Sequence, residues 1–229
     1  MLLADKKDTI DKEKEVSIKD KLVKKNAPRP GTAPFVHEAV TKLLNGYKGF
    51  ILDAGAGKGI LSRKLKDMGF KVYACDVDPE WFEAREDGIE FIQADLNQKL
   101  PYEDEYFDFV CCVETIEHLW NPWGLIQEFY RILKPQGKLI VTTPNILTIF
   151  SRIRFLLSGR FLSFGKKNFD ILGHISPFPQ WQLEGMLKKI GFEDVKVTFN
   201  AGWIPILEKQ IPIKNILTGN ILIISCQKP

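Results

Sequence analysis

The stretch Ile51-Leu52-Asp53-Ala54-Gly55-Ala56-Gly57-Lys58-Gly59 decides the fold. An apolar run, Phe50 to Asp53, leads into it and reads as a buried strand. Gly59 to Met68 leads out of it as a helix, stopped by Gly69. Glycines at such a junction let the backbone turn tightly and let a ligand approach the main chain. Several nucleotide sites use loops of this kind, so spacing must discriminate. A P-loop needs about four residues between its first glycine and a Gly-Lys-Ser/Thr triplet. Here one residue separates Gly55 from Gly57, and Lys58 is followed by Gly59. A dinucleotide fingerprint places its third small residue three positions after the second glycine. That position is Ile60, and the third glycine comes early, at Gly59.

Outward from the loop, strands and helices alternate. Lys71–Cys75, Glu90–Gln93, Tyr106–Val113 and Gly137–Thr142 are further strands. Asp78-Pro79 reads as a helix start, with Asp as cap and Pro in the first turn. Asn121-Pro122 opens a helix whose apolar face is Leu125, Ile126, Phe129, Ile132 and Leu133. Near-continuous apolar strands between amphipathic helices predict a parallel sheet covered on both faces. The helix Gln180–Ile190 is followed by two strands, Glu193–Phe199 and Asn220–Cys226. With no clear helix between them, they predict an antiparallel hairpin at the sheet edge.

The 229 residues suffice for one sizeable α/β domain. The expected division is a charged, partly mobile arm over 1–33 and one domain over 34–229, with 146–178 inserted as a cap. Residues 1–30 hold nine Lys/Arg and six Asp/Glu, without the apolar core of a signal peptide. A helical stripe is expected from Pro34 to Leu44. A net charge of +3 gives no strong nucleic-acid signal. No apolar run is long enough for a membrane span. Cys75, Cys111, Cys112 and Cys226 form no CxxC pair, as expected of buried thiols in a reduced, cytoplasmic protein.

Asp76 ends the second strand, 21 residues after Gly55. A carboxylate there can accept bonds from both ribose hydroxyls. Asp78 already supplies a cap, which weakens a capping role for Asp76. Gln93-Ala94-Asp95-Leu96 closes the third strand.

The order and spacing of these features resemble the class I S-adenosylmethionine-dependent methyltransferases across residues 34–229. The loop resembles their acidic-x-Gly-x-Gly-x-Gly motif, with Asp53 as the acid facing a methionine ammonium. The segment Asp108–Leu119, with Leu133–Lys138 and Thr142–Asn145, resembles the subset containing the ubiquinone-biosynthesis O-methyltransferases. The resemblance implies a Rossmann-like, seven-stranded, mostly parallel sheet with the antiparallel hairpin at its C-terminus. It implies S-adenosylmethionine contacts at Asp53, Ala54, Gly55, Ala56, Gly57, Asp76, Val77, Asp95, Leu96, Val113 and Glu114. Arg29 is no secure match for the family's N-terminal arginine.

Methyl transfer chiefly requires alignment with an electrophilic sulfonium methyl and exclusion of water. A base is needed where the nucleophile holds its proton, as an alcohol does. His118, after the fourth strand, and His174, in the insertion, are the candidates. Glu114-x-x-Glu117-His118 with a later His also resembles a metal site of some ribose and quinone O-methyltransferases. No metal is the leading expectation. The alternative is a divalent ion on Glu114, Glu117, His118 and His174, assisting transfer to a ribose or catechol hydroxyl.

The expected acceptor is a small molecule, lipid or glycan, methylated at oxygen. A cofactor-binding module without turnover is the other class; an NAD oxidoreductase is disfavoured by Ile60. The insertion carries an apolar stripe, Ile149, Phe150, Ile153, Leu156 and Leu157, with Arg152, Arg154 and Arg160 nearby. It admits three readings: a cap packed on the sheet, a basic-rimmed acceptor pocket, or an interfacial helix on a membrane. Trp203–Leu207 and Ile211–Ile213 share that ambiguity.

Overall fold

A computed structural model describes residues 33, 35–200, 202–204, 209–211 and 214–229. Of the expected N-terminal arm, only Ala33 falls among them; Arg29, Pro34 and the side chains of 201–213 lie outside the described residues.

The first helix, α1 (Val36–Leu43), buries Val36 and Val40. It leads into β1 (Phe50–Ala54), followed by α2 (Ile60–Asp67), β2 (Lys71–Asp76), β3 (Glu90–Gln93) and β4 (Phe107–Val113). Then come α3 (Pro122–Ile132), β5 (Leu133–Pro144), α4 (Ile149–Ser158), α5 (Gln180–Ile190) and β6 (Glu193–Phe199). The short strands β7 (Gly202–Ile204) and β8 (Lys209–Ile211) pair as a separate antiparallel ribbon before β9 (Ile221–Gln227).

The sheet order is β3-β2-β1-β4-β5-β9-β6. Pairing is parallel from β3 through β5, and antiparallel where β9 meets β5 and β6. The expected antiparallel C-terminal pair is therefore present, with a refinement: β9 slots between β5 and β6, leaving β6 at the edge. Local pattern shows two strands, but only closure of the sheet decides which lies inside.

Alternate residues of each strand point to opposite faces. Leu52, Ala54, Val110 and Cys112 join α3 and α5 in one apolar cluster. Ile51, Phe109, Cys111 and Val113 join α1 and α2 in the other. The cap of α3 is Asn121, whose side chain accepts from the Gly124 N–H at 3.1 Å. All four cysteines are free and buried.

The helix expected from Asp78 does not form. Asp78 Oδ1 accepts the Glu80 N–H at 2.9 Å, so the capping geometry is present. Beyond it Phe82 and Ala84 are buried while Glu83 and Arg85 are exposed, a period of two rather than 3.6. Both buried side chains pack beneath Gly59, where an added Cβ would come within 2.7 Å of each. Long-range burial overrides the local cap, and only a short 3-10 turn, Arg85–Asp87, remains.

The insertion stripe also behaves differently from a packed cap. In α4 only Ser151 is buried. The apolar residues Ile149, Phe150, Ile153, Leu156 and Leu157 are all exposed.

Candidate functional site

Strand β1 lies between β2 and β4, so chain connections diverge to opposite faces at the β1/β4 boundary. In open α/β sheets a crevice forms there, outside the carboxyl ends of the strands. The expected cofactor residues all lie on that edge.

Gly55, Gly57 and Gly59 have positive φ, at 79°, 51° and 76°. At Gly55 an added Cβ would also collide with the Thr115 side chain. The Gly55 and Ala56 N–H groups donate to the Cys75 carbonyl at 2.9 and 3.1 Å, which ties the loop to β2. The Gly57 N–H donates to Asp76 Oδ2 at 2.8 Å.

Three carboxylates converge on this edge. Asp53 is buried, and its Oδ2 accepts the Ser62 hydroxyl at 2.6 Å. Burial pushes its pKa to about 7, with the Asp76 charge adding to the effect. Asp76 is raised by burial as well, opposed by backbone N–H groups of Gly57, Asp78 and Val77. Glu114 leaves β4 with φ at 47°, a strained value for a residue with a side chain. Its N–H donates to Thr142 Oγ1 at 3.0 Å, and its Oε2 accepts the Ala33 N–H at 2.5 Å. Burial pushes Glu114 to about 7. Among the described residues no lysine or arginine pairs with any of the three.

Asp95 turns inward on its own loop, its Oδ1 accepting the Asn97 N–H at 2.9 Å. Leu96 buries its side chain in the core, and Val113 is buried at the end of β4. The Val77 carbonyl accepts Gln93 Nε2 at 2.9 Å.

The second cluster follows β4. Ile116–His118 form one 3-10 turn, which places Glu117 inside the protein. The Ile175 and Ser176 N–H groups donate to the Glu117 carbonyl at 3.0 and 2.9 Å, and Ser176 Oγ donates to the Leu119 carbonyl at 2.8 Å. These bonds bring the insertion onto the turn and set His174 beside His118. One ligand atom each of Glu117, His118 and His174 lie within 4.8 Å of one another. Glu114 stands outside that group, so the four-residue set expected from sequence resolves to three.

Both Glu117 carboxylate oxygens and His118 Nδ1 are buried and, among the described residues, have no partner in hydrogen-bond geometry, although the Thr143 hydroxyl stands close to Glu117. Burial raises Glu117 well above the carboxylate range, and the Glu114 charge adds to it. Burial, then the neighbouring His174, lowers His118 to about 4. His174 is lowered by burial; its Nδ1 meets the Ser163 carbonyl at 2.7 Å, which leaves Nε2 as the free lone pair.

Sequence reasoning missed Ser62, Ser163 and Ala33. Ser62 had a signal: it is a polar residue on the buried stripe of α2, between Leu61 and Leu65. Ser163 and Ala33 act through backbone atoms, which no residue type advertises.

Residues 52–141 match the family described as a methyltransferase domain. A ubiquinone biosynthesis O-methyltransferase from Xanthomonas oryzae pv. oryzae is 38% identical over 102 residues, covering 42% of this chain and 43% of that one. The match thus spans less than half the length of that curated relative. A Thermotoga maritima S-adenosylmethionine-dependent methyltransferase, described as a possible histamine N-methyltransferase, superposes with TM-score 0.66 and 25% identity, over 84% of this chain and 87% of that one. A Haemonchus contortus phosphoethanolamine N-methyltransferase bound to S-adenosylmethionine shares the fold, with TM-score 0.61 and 17% identity over 89% and 54% of the two chains. With the sheet order, these matches give residues 52–141 the likeness of a methyltransferase domain and show the chain to share the Rossmann-like fold of the solved methyltransferases.

Proposed function

We propose that this protein is a methyltransferase that binds S-adenosylmethionine at the carboxyl edge of β1, β2 and β4 and methylates an oxygen of a small-molecule, lipid or glycan acceptor. The observation that carries the reading is the trio Asp53, Asp76 and Glu114, the first two buried and the third half-buried around the glycine loop, with no cation paired to them among the described residues. Buried carboxylates with raised proton affinity gain from a cationic ligand, which restores their ionised form. The cofactor brings a sulfonium and an ammonium, and its methyl is already electrophilic. Asp76 would take the ribose hydroxyls, since a carboxylate offers about four acceptor sites and backbone N–H groups leave some free. Asp53 and Glu114 would face the methionine end, and Asp95 with the Leu96 amide would face the adenine. Ala54, Ala56, Val77 and Val113 would supply backbone and apolar walls.

His118, neutral at physiological pH, can accept a proton from an acceptor hydroxyl, and His174 adjoins it. Titration calorimetry with S-adenosylmethionine and NAD tests the cofactor. Binding of the former, weakened at least tenfold by Asp76→Ala or Gly57→Arg, is expected; no binding, or binding that neither substitution weakens, would sink the reading.

The buried carboxylate of Glu117, without a partner in hydrogen-bond geometry among the described residues, supports a metal-assisted version. Buried polar groups without partners are rare in folded proteins and call for a bound water or ion. One carboxylate and two imidazoles suit Zn²⁺, Fe²⁺ or Mn²⁺ with positions left open. The ion would supply charge that lowers the pKa of an acceptor hydroxyl. Chelator-treated protein should then bind one equivalent of Zn²⁺ or Mn²⁺, and Glu117→Gln or His174→Asn should abolish it. Equal binding by wild type and both variants would reject the site.

A further inference from the structure

Helix α4 presents its apolar residues to solvent. Leu156 is 84% exposed and Leu157 is 80% exposed. Ile149, Phe150, Ile153 and Phe155 are exposed on the same helix, and Phe169 and Ile171 lie exposed beyond it. The helix is well made in spite of this. Thr148 caps it, accepting the Ser151 N–H at 3.2 Å, and Gly159 ends it at φ 65°. The chain then folds back: Phe161 stacks on Phe155 with centroids 4.4 Å apart, and the Leu162 N–H donates to Ser151 Oγ at 3.1 Å. Apart from that stacked pair, the apolar side chains of this ordered helix are left exposed among the described residues. A ten-residue helix draws little stability from propensity alone, and an exposed apolar patch of this kind marks an interaction surface.

Charge identifies the partner. Residues 149–175 contain five basic side chains, Arg152, Arg154, Arg160, Lys166 and Lys167, against one carboxylate, Asp170. All five are exposed. Among the described residues none of them pairs with a carboxylate. Apolar side chains flanked by long cationic ones suit a bilayer interface: the former enter the acyl boundary while the latter reach phosphate oxygens. A second copy of the chain would bring five further cations against these. The segment 1–30, with nine basic and six acidic residues, carries the same net sign.

We propose that α4 and the turn after it dock this protein on an anionic phospholipid bilayer. The helix begins five residues beyond the end of β5, on the edge of the sheet that holds the glycine loop and Glu114. The insertion is also pinned to the turn after β4 through Ser176 and Leu119, next to Trp120, itself exposed. Tryptophan favours such interfaces, its ring apolar and its N–H wet. Docking would thus bring the carboxyl edge to the membrane. Resting on the methyltransferase reading, the acceptor is then an apolar molecule carried by the bilayer.

The test floats the full chain with vesicles of phosphatidylcholine alone and with vesicles of equal parts phosphatidylcholine and phosphatidylglycerol. Recovery with the anionic vesicles only, falling as salt rises, is expected. Leu156→Ser with Leu157→Ser should lower the partition coefficient at least about tenfold, because two exposed leucines lose their burial in lipid. Arg160→Glu with Lys167→Glu should do the same. Both variants alter exposed positions and should keep the helical circular dichroism and S-adenosylmethionine affinity of the wild type. No recovery on anionic vesicles, or recovery indifferent to both variants, would overturn the proposal. So would a dimer lost on the leucine substitutions in a protein that ignores vesicles, since that assigns the face to a second copy. Leucine-dependent vesicle recovery in a protein that binds no S-adenosylmethionine would uphold docking and sink the methyltransferase reading instead.

Discussion

The rings of His118 and His174 meet edge-on, their centroids 4.7 Å apart and their planes inclined by 74°. Each ring helps bury the other, and His174 adds to the depression of His118 to about 4. Removing His174 opens that side to water and takes away a like-charged neighbour. In metal-free protein, His174→Ala should therefore raise the His118 pKa toward its ordinary value. Nitrogen-detected NMR of labelled histidine reads this directly. A His118 titration unmoved by the substitution would contradict the coupling.

Asp53 sets a pH dependence with the opposite sign from an ordinary salt-bridged aspartate. Its folded pKa, about 7, lies above the unfolded value. The folded state therefore holds a proton that the unfolded state has lost between about pH 4 and pH 7. Stability should fall as pH rises through that window. His118 acts in the other direction from about 4 up to its ordinary value, since the folded state lacks a proton there. Comparing Asp53→Asn with wild type isolates the aspartate. The variant should lose part of the downward slope in urea midpoints measured between pH 4.5 and 7.5; an identical slope would refute the assignment.

The same linkage applies to ligand binding. If a cationic cofactor favours ionised Asp53 and Glu114, its binding should release protons near pH 6 and tighten as pH rises toward 7. Calorimetry in buffers of different ionisation enthalpy measures the protons released. Zero release at pH 6 would count against those two carboxylates facing the cofactor.

Gly55 combines positive φ with a Thr115 side chain where a Cβ would stand. Gly55→Ala should cost about 1–3 kcal/mol of stability and weaken cofactor binding. Adding Thr115→Gly should return the steric part and leave the backbone part. Denaturant unfolding of the single and double variants separates the two, and a double variant no better than the single would show that Thr115 is not the obstacle.

Arg131 ties α3 to the loop before β4. Its guanidinium donates to both Glu128 carboxylate oxygens, to Asp104 Oδ1 and to the carbonyls of Leu100 and Tyr102. Glu128 in turn accepts the Leu100 N–H at 2.8 Å. Arg131→Met should destabilise the fold by about 2 kcal/mol, through a largely buried carboxylate left without its cation. A urea midpoint equal to wild type would show the network to be dispensable.

The sequence by itself determined what short-range sterics encode. Gly55, Gly57 and Gly59 announced a tight strand-to-helix turn, and the structure makes it with all three at positive φ. Strand runs, the Asn121 cap and the Gly69 stop were legible because each depends on a few neighbouring residues. Long-range packing decided the rest. Asp78-Pro79 is a sound local cap, yet Phe82 and Ala84 alternate into the space beneath Gly59, and the helix is lost. The period of α4 shows a stripe, but only the surrounding fold shows that it faces outward. Glu117, His118 and His174 are ordinary residues in the sequence, the histidines 56 positions apart. The insertion brings them together by bonding to the turn after β4. Their proton affinities follow from that meeting, because burial depends on everything packed around a group, and a sequence displays only its neighbours along the chain.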